Sequence, residues 1–203
     1  MQTYDAGVDA RRESIYEVFV NASTRTAAFR PSTSPLYEQV GFVVGAPRSG
    51  TTWLQQLLLV HPLIATGGES HLFCEGLPTL FENFAHPEGM SHLSTWVSRD
   101  QLLTASRAFC DAVFTAQRDG TRPEASVILE KTPNHRLQSG LQAQIYPDAR
   151  YVHIVRDGRD ATASQRQLWG GRTDEFADAD RAAEAWAAAI RDIRSHFGSL
   201  AYL

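Results

Sequence analysis

Lysine is almost absent from this sequence. Of its 19 basic residues, 18 are arginines and one is Lys131. An arginine bias can reflect nucleotide composition, yet it makes the remaining lysine informative, because a compact ammonium on a flexible stem can do what a planar guanidinium cannot. Lys131 follows the apolar run 126–129. We therefore expect it at the C-terminal end of a strand, where open α/β sheets bind their ligands.

Cysteines and long apolar runs are also scarce. The two cysteines, Cys74 and Cys110, cannot make a disulfide framework, and no Cys/His cluster has zinc spacing. We expect two reduced, mostly buried thiols and hence a cytoplasmic protein. No apolar run approaches the ~20 residues of a membrane span, and the polar N-terminus lacks the pattern of a signal peptide.

A large excess of charge of either sign is missing too. The formal net charge is −4, which predicts no broad basic surface and makes nucleic acid an unexpected partner. Positive charge should instead be concentrated in one cleft. A chain of 203 residues, 43% of them hydrophobic, is long enough for one globular domain with a substantial core.

Apolar runs alternate with helical patterns along most of the chain. Strands are predicted at 40–45, 63–66, 126–130 and 150–155, and helices at 51–60, 100–118, 135–145, 157–169 and 178–196. This alternation predicts an α/β fold in which a central parallel sheet has helices on both faces. The apolar face of the helix at 100–118 is expected to contain Leu103, Phe109, Val113 and Phe114.

Two segments have weaker patterns. Residues 1–36 are expected to form a short amphipathic helix, with Ile15, Val18 and Phe19, followed by a linker. The α/β domain would then be 37–203. Residues 71–98 mix aromatics with proline and glycine, which predicts short helices and loops. Their aromatic side chains are expected to help line an acceptor pocket.

The segment 41–54 carries the strongest local signal. A buried strand is followed by a tight loop from Gly45 to Gly50, and a helix begins at Thr51. Backbone N–H groups and the helix dipole make such a loop a cradle for phosphate. The loop is not a Walker loop, because Thr51 stands where the lysine belongs and the cation is Arg48 instead. We expect a phosphate ligand that needs no metal, and no hydrolysis of nucleoside triphosphates.

This loop resembles the 5′-phosphosulfate loop of sulfotransferases that use PAPS (3′-phosphoadenosine 5′-phosphosulfate), in the bacterial and tyrosylprotein branch. Three further segments match that branch in its order, namely those around Glu69, around Lys131 and at 152–164. Glu69 lies 69 − 48 = 21 residues after the loop arginine, a spacing similar to that of the tyrosylprotein enzymes. The matches cover 41–170 and imply a P-loop-like three-layer α/β/α fold.

The resemblance also implies roles for individual residues. Glu69 would be the general base, Lys131 would contact the transferred sulfuryl group, and Arg48 would neutralise the 5′-phosphosulfate. Arg156 at a strand end and Ser164 on the next helix would bind the 3′-phosphate. The other cofactor contacts would come from Ser49, Gly50, Thr51, Thr52 and Trp53. No metal is implied.

Histidines are the alternative general bases. His71 and His135 are the runners-up, although neither occupies the position two residues after the lysine, where the cytosolic branch has its histidine and this chain has Pro133. His61 precedes a proline and His153 lies inside a predicted strand, so we expect both to be structural.

Members of this family are usually longer, so we expect a C-terminally truncated domain. The expected activity is sulfuryl transfer from PAPS to a hydroxyl or amine of a small-molecule or peptide acceptor, which the sequence does not identify. The alternatives are a P-loop nucleotide kinase and a non-catalytic fragment that binds PAP or PAPS. A homodimer is possible, and no membrane span is expected.

Overall fold

A computed structural model describes residues 16–21, 34–85, 92–170, 172–197 and 201–202. The strands are β1 (Tyr16–Asn21), β2 (Val40–Val44), β3 (Ile64–Thr66), β4 (Val127–Glu130), β5 (Arg150–Arg156) and β6 (Ala201–Tyr202). They form one sheet in the order β3-β4-β2-β5-β1-β6. The first four strands of that order are parallel, whereas β1 runs antiparallel to both β5 and β6.

Helices flank this sheet, as the predicted α/β class requires. They are α1 (Thr51–Leu58), α2 (Leu77–Ala85), α3 (Arg99–Thr121), α4 (Ser139–Ile145), α5 (Gly158–Trp169) and α6 (Ala179–Phe197). Short helical turns cover Leu72–Gly76, His92–Thr95, Pro133–Leu137 and Asp174–Phe176. Within the described residues, no helix has the length and apolar character needed to cross a bilayer.

The strand β2 lies at the centre of the sheet. All five of its residues are buried, which is typical of a parallel strand covered on both faces. Its Phe42 ring contacts three other rings, with centroid distances of 5.2 Å to Tyr151, 5.6 Å to Phe73 and 5.7 Å to Tyr146. The loop that follows β2 therefore begins at a strand that is buried in the core.

The aromatic side chains of 71–98 differ in their burial. Phe73 and Phe81 are buried in the hydrophobic core, and Phe84 packs against it. Trp96, in contrast, lies exposed on the surface. Phe73 and Phe81 are thus core residues and not pocket-lining ones, whereas the expectation for the other aromatics of this segment stays a prediction. The helices and loops predicted for this segment are present in its described part.

The strand β1 corrects the expected N-terminal helix. Tyr16–Asn21 pairs in register with 151–156 of β5 and forms an antiparallel strand. The spacing of Val18 and Phe19 fitted a helix, but β5 offers a row of backbone groups that need partners, and a short β-branched and aromatic segment satisfies them. The rest of the predicted helix and most of the linker, 1–15 and 22–33, lie outside the described residues.

The helix α3 is longer than predicted and presents a different face. A capping box at Ser98 and Gln101 fixes its start. Cys110 and Phe114 are buried, whereas Phe109 is 53% exposed and Val113 is 37% exposed. The expected apolar face is thus wrong at these last two positions, because the sheet contacts α3 along the row that contains Cys110.

A buried ion pair fastens α3 to the segment before β5. Arg107 is buried and its guanidinium forms two hydrogen bonds with the Asp148 carboxylate, one of them 2.9 Å long. The same guanidinium lies 4.3 Å from the centroid of the Tyr146 ring, whose hydroxyl donates to Asp111 over 2.8 Å. Burial opposes ionisation of Asp148, but the hydrogen bonds from Arg107 and from the Glu38 N–H, together with the charge of Arg107, outweigh burial and lower the pKa of Asp148.

Candidate active site

The loop between β2 and α1 has the backbone of an anion cradle. A Cβ on Gly45 would lie 2.7 Å from the Ile154 carbonyl oxygen, so the loop must start on glycine. Arg48 and Gly50 both have left-handed backbone conformations, with φ of 66° and 95°. No side chain caps α1, so its first amides, including that of Thr51, have no acceptor within the helix. Left-handed residues before a helix start turn successive N–H groups toward one point.

A cavity of about 310 Å³ opens beside this loop. It lies at the carboxyl ends of the parallel strands, where the sheets of α/β proteins bind ligands. The residues that line it follow β2, β3, β4 and β5, and are Pro47, Arg48, Gly50, Thr51, Thr52, Glu69, Pro133, Asn134, Arg156 and Trp169.

Three predicted phosphate ligands meet at this cavity. Arg48 Nε donates a hydrogen bond of 3.1 Å to Ser164 Oγ, and Arg156 Nη1 donates one of 3.2 Å to the Arg48 carbonyl. Arg156 also lies 3.7 Å from an Asp160 carboxylate oxygen, the ion pair that a purely structural role would give it. A further bond of 2.8 Å from Gln165 Nε2 to the Pro47 carbonyl holds α5 against the loop.

Three predicted cofactor residues, Ser49, Trp53 and Ser164, do not line the cavity, although Ser164 contacts its lining residue Arg48. Ser49 is fully buried and its N–H donates to the Ala46 carbonyl over 3.1 Å, so this amide is already used within the turn. Trp53 is 57% exposed and is not part of the cavity wall. The loop amides at the cavity are thus those of Gly50, Thr51 and Thr52.

An ion pair joins the ends of β3 and β4. Lys131 Nζ donates a hydrogen bond of 2.6 Å to Glu69 Oε1. The lysine side chain is 5% exposed and the glutamate side chain 39% exposed, so the pair runs from the interior to the cavity. The sequence places these residues 62 positions apart, and the pairing of adjacent parallel strands brings them together.

A second carboxylate, that of Glu130, lies buried behind this pair. It accepts hydrogen bonds from Ser70 Oγ over 2.9 Å and from Thr132 Oγ1 over 2.7 Å, and His135 Nδ1 lies 2.9 Å away. Burial favours its protonated form, but the hydrogen bond and electrostatic attraction of His135, together with the hydrogen bonds from Thr132 and Ser70, outweigh burial and lower the pKa of Glu130. Sequence reasoning gave Glu130 no role, although its place at a strand end beside Lys131 was a usable signal.

His135 is held at both of its ring nitrogens. Its Nε2 accepts the Phe73 N–H over 3.2 Å, and its Nδ1 lies 2.9 Å from a Glu130 carboxylate oxygen and 3.1 Å from Gln142 Nε2. Both ring nitrogens are therefore engaged in a buried site. His135, one of the two alternative bases, cannot reach a substrate in this arrangement.

The sequence model of the sulfotransferase family matches residues 42–201, more than three quarters of the chain. This chain belongs to the sulfotransferase family. The match includes the loop arginine Arg48, the Glu69–Lys131 pair and the Arg156–Ser164 segment.

Several relatives share part of this sequence. The nodulation protein NoeE of Sinorhizobium fredii is 28% identical over 64% of this chain and 31% of its own length. A putative protein-tyrosine sulfotransferase of Caenorhabditis briggsae is 30% identical over 61% of this chain and 41% of its own length. The protein-tyrosine sulfotransferase of Drosophila melanogaster is 24% identical over 58% of this chain and 23% of its own length. The chain thus spans less than half the length of these relatives.

The other histidines of this sulfotransferase-family chain differ in their surroundings. His71 is partly exposed, and its Nε2 lies 3.7 Å from Glu69 Oε2, so it borders the site. His61 Nδ1 accepts the Leu63 N–H over 3.2 Å. His153 is fully buried in β5, and burial lowers its pKa to about 4. The last two have the structural environments expected of them.

One cluster near the site has the donor types of a metal centre. His71 Nδ1, Cys74 Sγ and a Glu75 carboxylate oxygen lie within 4.8 Å of one another. Burial, followed by the charge of Glu75, raises the pKa of Cys74 to about 11, so the thiol is protonated at neutral pH. The free Cys110 is buried, as expected, and Cys74 is partly buried.

Proposed function

We propose that this protein transfers a sulfuryl group from PAPS to an acceptor hydroxyl or amine. One observation carries the proposal: an arginine-bearing anion cradle, a second arginine and a glutamate line one cavity, while Ser164 contacts the loop arginine Arg48 and Lys131 contacts that glutamate. Sulfuryl transfer needs these parts, because charge must be neutralised on the leaving phosphate while a base takes the acceptor proton.

The residues at the cavity suit a nucleotide with two phosphate positions. The amides of Gly50, Thr51 and Thr52, with the Arg48 guanidinium, would bind the 5′-phosphosulfate. Arg156 and the Ser164 hydroxyl would bind the 3′-phosphate, and Ser164 would turn its O–H from solvent to the anion. Since Arg48 already contacts Ser164 over 3.1 Å, the two anion positions are close enough for one nucleotide to reach both.

The transfer itself would form one bond and break another. The acceptor oxygen attacks sulfur, and the bond from sulfur to the bridging oxygen breaks, leaving its electron pair on the 5′-phosphate of PAP. Glu69 accepts the acceptor proton. In the structure described above Lys131 donates a hydrogen bond of 2.6 Å to Glu69. In the reaction Lys131 would donate to the leaving oxygen instead and stabilise the charge that develops there.

The two alternative functions that the sequence left open do not have equal support. Membership of the sulfotransferase family argues against a nucleotide kinase, as does the absence of a lysine at the position of Thr51. A non-catalytic protein that binds PAP or PAPS remains the alternative to an enzyme. It shares the nucleotide site and lacks turnover, so a transfer assay separates the two.

Nucleotide binding tests the first half of the proposal. PAP at about 100 times its Kd should raise the unfolding temperature by about 5 °C or more, because a ligand that binds only the folded state stabilises it. ATP with Mg²⁺ should have much less effect. Arg48→Ala and Arg156→Ala should each lose the shift, whereas Arg159→Ala should keep it. Arg159 is the matched control, because it is also an arginine near the start of α5 but its side chain is 91% exposed and pairs with Asp157.

Transfer of labelled sulfate from PAPS to a panel of phenols, alcohols and amines tests the second half. Label that moves to an acceptor, and no longer moves in Glu69→Gln, supports the enzyme. Binding of PAP without transfer to any acceptor would favour the non-catalytic alternative. Equal stabilisation by PAP and by ATP would count against the nucleotide assignment altogether.

A further inference from the structure

A second cavity lies on the other side of Glu69. It has a volume of about 220 Å³ and is formed by the loop after β3, by one side of α3 and by the end of β4. Its lining residues are Gly67, Gly68, Glu69, Ser70, Val113, Phe114, Gln117, Ile128, Leu129 and Glu130. Glu69 is the residue that this cavity shares with the nucleotide cavity described above.

The walls of this cavity are mostly apolar. Val113 and Phe114 contribute the α3 side, and Ile128 and Leu129 contribute the β4 side. Pockets for drug-sized ligands measure roughly 300–1,000 Å³, so a cavity of about 220 Å³ suits a single ring with a short substituent. Val113 is partly exposed, which leaves an opening on α3 for the substituent.

The backbone of the loop is fitted closely to α3. A Cβ on Gly67 would lie 3.0 Å from Gln117 Cδ, whereas one on Gly68 would meet nothing within 4 Å. Gln117 Nε2 donates to the Thr66 carbonyl over 3.2 Å and holds the loop in place. The cavity is thus bounded by fixed elements, and a ligand would not have to displace a side chain of the core.

The ionisable groups of this cavity are acidic. They are the carboxylates Glu69 and Glu130, and no residue in its wall is a cation. The charge of Glu69 is offset by Lys131 over 2.6 Å. Glu130 accepts hydrogen bonds from Ser70 and Thr132 beside His135, and its lowered pKa keeps it ionised at neutral pH. An anion placed here would be repelled, and a neutral or positive group would not.

We propose that this second cavity is the acceptor subsite and that it takes an uncharged or cationic phenol or ring alcohol, while excluding anionic acceptors. The inference rests on the proposed sulfuryl transfer. An acceptor ring held between α3 and β4 would present its hydroxyl beside Glu69, the residue that lines both cavities. The acceptor oxygen would then reach the sulfuryl group directly, while the carboxylate beside it takes the proton.

Direct binding tests this subsite without turnover. The protein saturated with PAP would be titrated with three phenols of one shape, namely 4-ethylphenol, the cation tyramine and the anion 3-(4-hydroxyphenyl)propionate. We expect 4-ethylphenol and tyramine to bind. The anion should bind at least about tenfold more weakly, because its carboxylate would be repelled by the negative charge of this partly desolvated site. Binding of the anion equal to that of 4-ethylphenol would overturn the inference.

Matched variants on α3 locate the ligand. Val113→Trp fills the cavity and should lower 4-ethylphenol affinity about tenfold or more, whereas Phe109→Trp, one turn earlier and outside the cavity wall, should not. Val113→Arg adds a cation and should reverse the preference toward the anionic phenol, while Phe109→Arg leaves it unchanged. Far-UV circular dichroism and PAP binding would show that each variant is folded.

The outcomes separate the subsite from the proposed function. If PAP binds and none of the phenols does, the acceptor subsite is wrong and the nucleotide site stands. If PAP fails to bind, the proposed function is wrong, and the phenol titrations of the nucleotide-free protein still decide whether the cavity binds rings. Equal effects of the Val113 and Phe109 substitutions would place the phenol elsewhere.

Discussion

Lys131 Nζ lies 2.6 Å from Glu69 Oε1, and this contact joins two residues from the ends of adjacent parallel strands. The lysine is buried and the glutamate faces both cavities. In the proposed reaction the same ammonium has two partners in succession, first the base and then the leaving oxygen. This arrangement makes the only lysine of the chain the most sensitive test of the proposal.

Replacement of Lys131 should therefore affect chemistry more than binding. Lys131→Ala is expected to lower kcat by about 10²–10³-fold, the usual effect of losing one donor to developing charge. Lys131→Arg should restore little of it, because a planar guanidinium does not fit a buried site shaped for an ammonium. Single-turnover transfer from PAPS measures this fall in rate. PAP affinity should stay within about threefold of the wild-type value, because an interaction made only in the transition state lowers kcat without weakening nucleotide binding.

Glu69→Gln should abolish most of the transfer while leaving PAP affinity intact. General base catalysis contributes about 10²–10⁴-fold, so kcat should fall in that range. Glu75→Gln is a matched control, since Glu75 contacts His71 over 3.1 Å and its side chain is 72% exposed. His71→Ala identifies the competing base: a kcat loss as large as that of Glu69→Gln would contradict the assignment of Glu69.

Ser164→Ala should change nucleotide preference and not only nucleotide affinity. If the hydroxyl binds the 3′-phosphate, its loss should weaken PAP binding by about tenfold, as for a hydrogen bond to a charged group. Binding of 5′-AMP, which lacks that phosphate, should not change. Thr162→Ala is the control on the same helix, because its hydroxyl donates to the Gly158 carbonyl. Equal weakening of both nucleotides would instead show that Ser164 only orients Arg48.

The Arg107–Asp148 pair should make stability depend on pH. The pKa of Asp148 is lowered in the folded protein, so its contribution is present above the unfolded value near 3.9 and is lost as pH falls through the folded pKa. Asp148→Asn should destabilise the protein by about 3 kcal/mol at pH 7, because the buried Arg107 guanidinium loses its hydrogen-bonded carboxylate and keeps only Asp111, 3.7 Å away, as a charged partner. Urea unfolding at pH 7 and pH 3 measures both effects, and the variant should show the smaller difference between them.

Local patterns predicted most of the secondary structure. The strands at 40–45 and 150–155 and the helix at 157–169 were correct to within a few residues, since apolar periodicity and capping residues act over short distances. The same reasoning failed at Tyr16–Asn21, where the pattern was ambiguous and an unpaired sheet edge decided the outcome. It also misassigned Phe109 and Val113, because helix periodicity alone does not say which face a partner covers.

The candidate site was predicted in its residue types but not in its contacts. Motif spacing pointed to Arg48, Glu69 and Lys131, which the structure brings to one edge of the sheet. No local signal could show that the Ser49 N–H donates its hydrogen bond within the turn, or that both ring nitrogens of His135 have buried partners. Such facts depend on which groups become neighbours after the chain has folded.

By itself the sequence determined a phosphate cradle between a buried strand and a helix, together with the acidic and basic residues that follow the later strands. Only the tertiary structure decided that Arg48 meets Ser164 across 116 residues and that Glu69 meets Lys131 across 62. Propensity and periodicity are properties of a few neighbouring residues, whereas strand order and register determine which distant residues share an edge of the sheet. The second cavity exists for the same reason, since α3, β4 and the loop after β3 form it together.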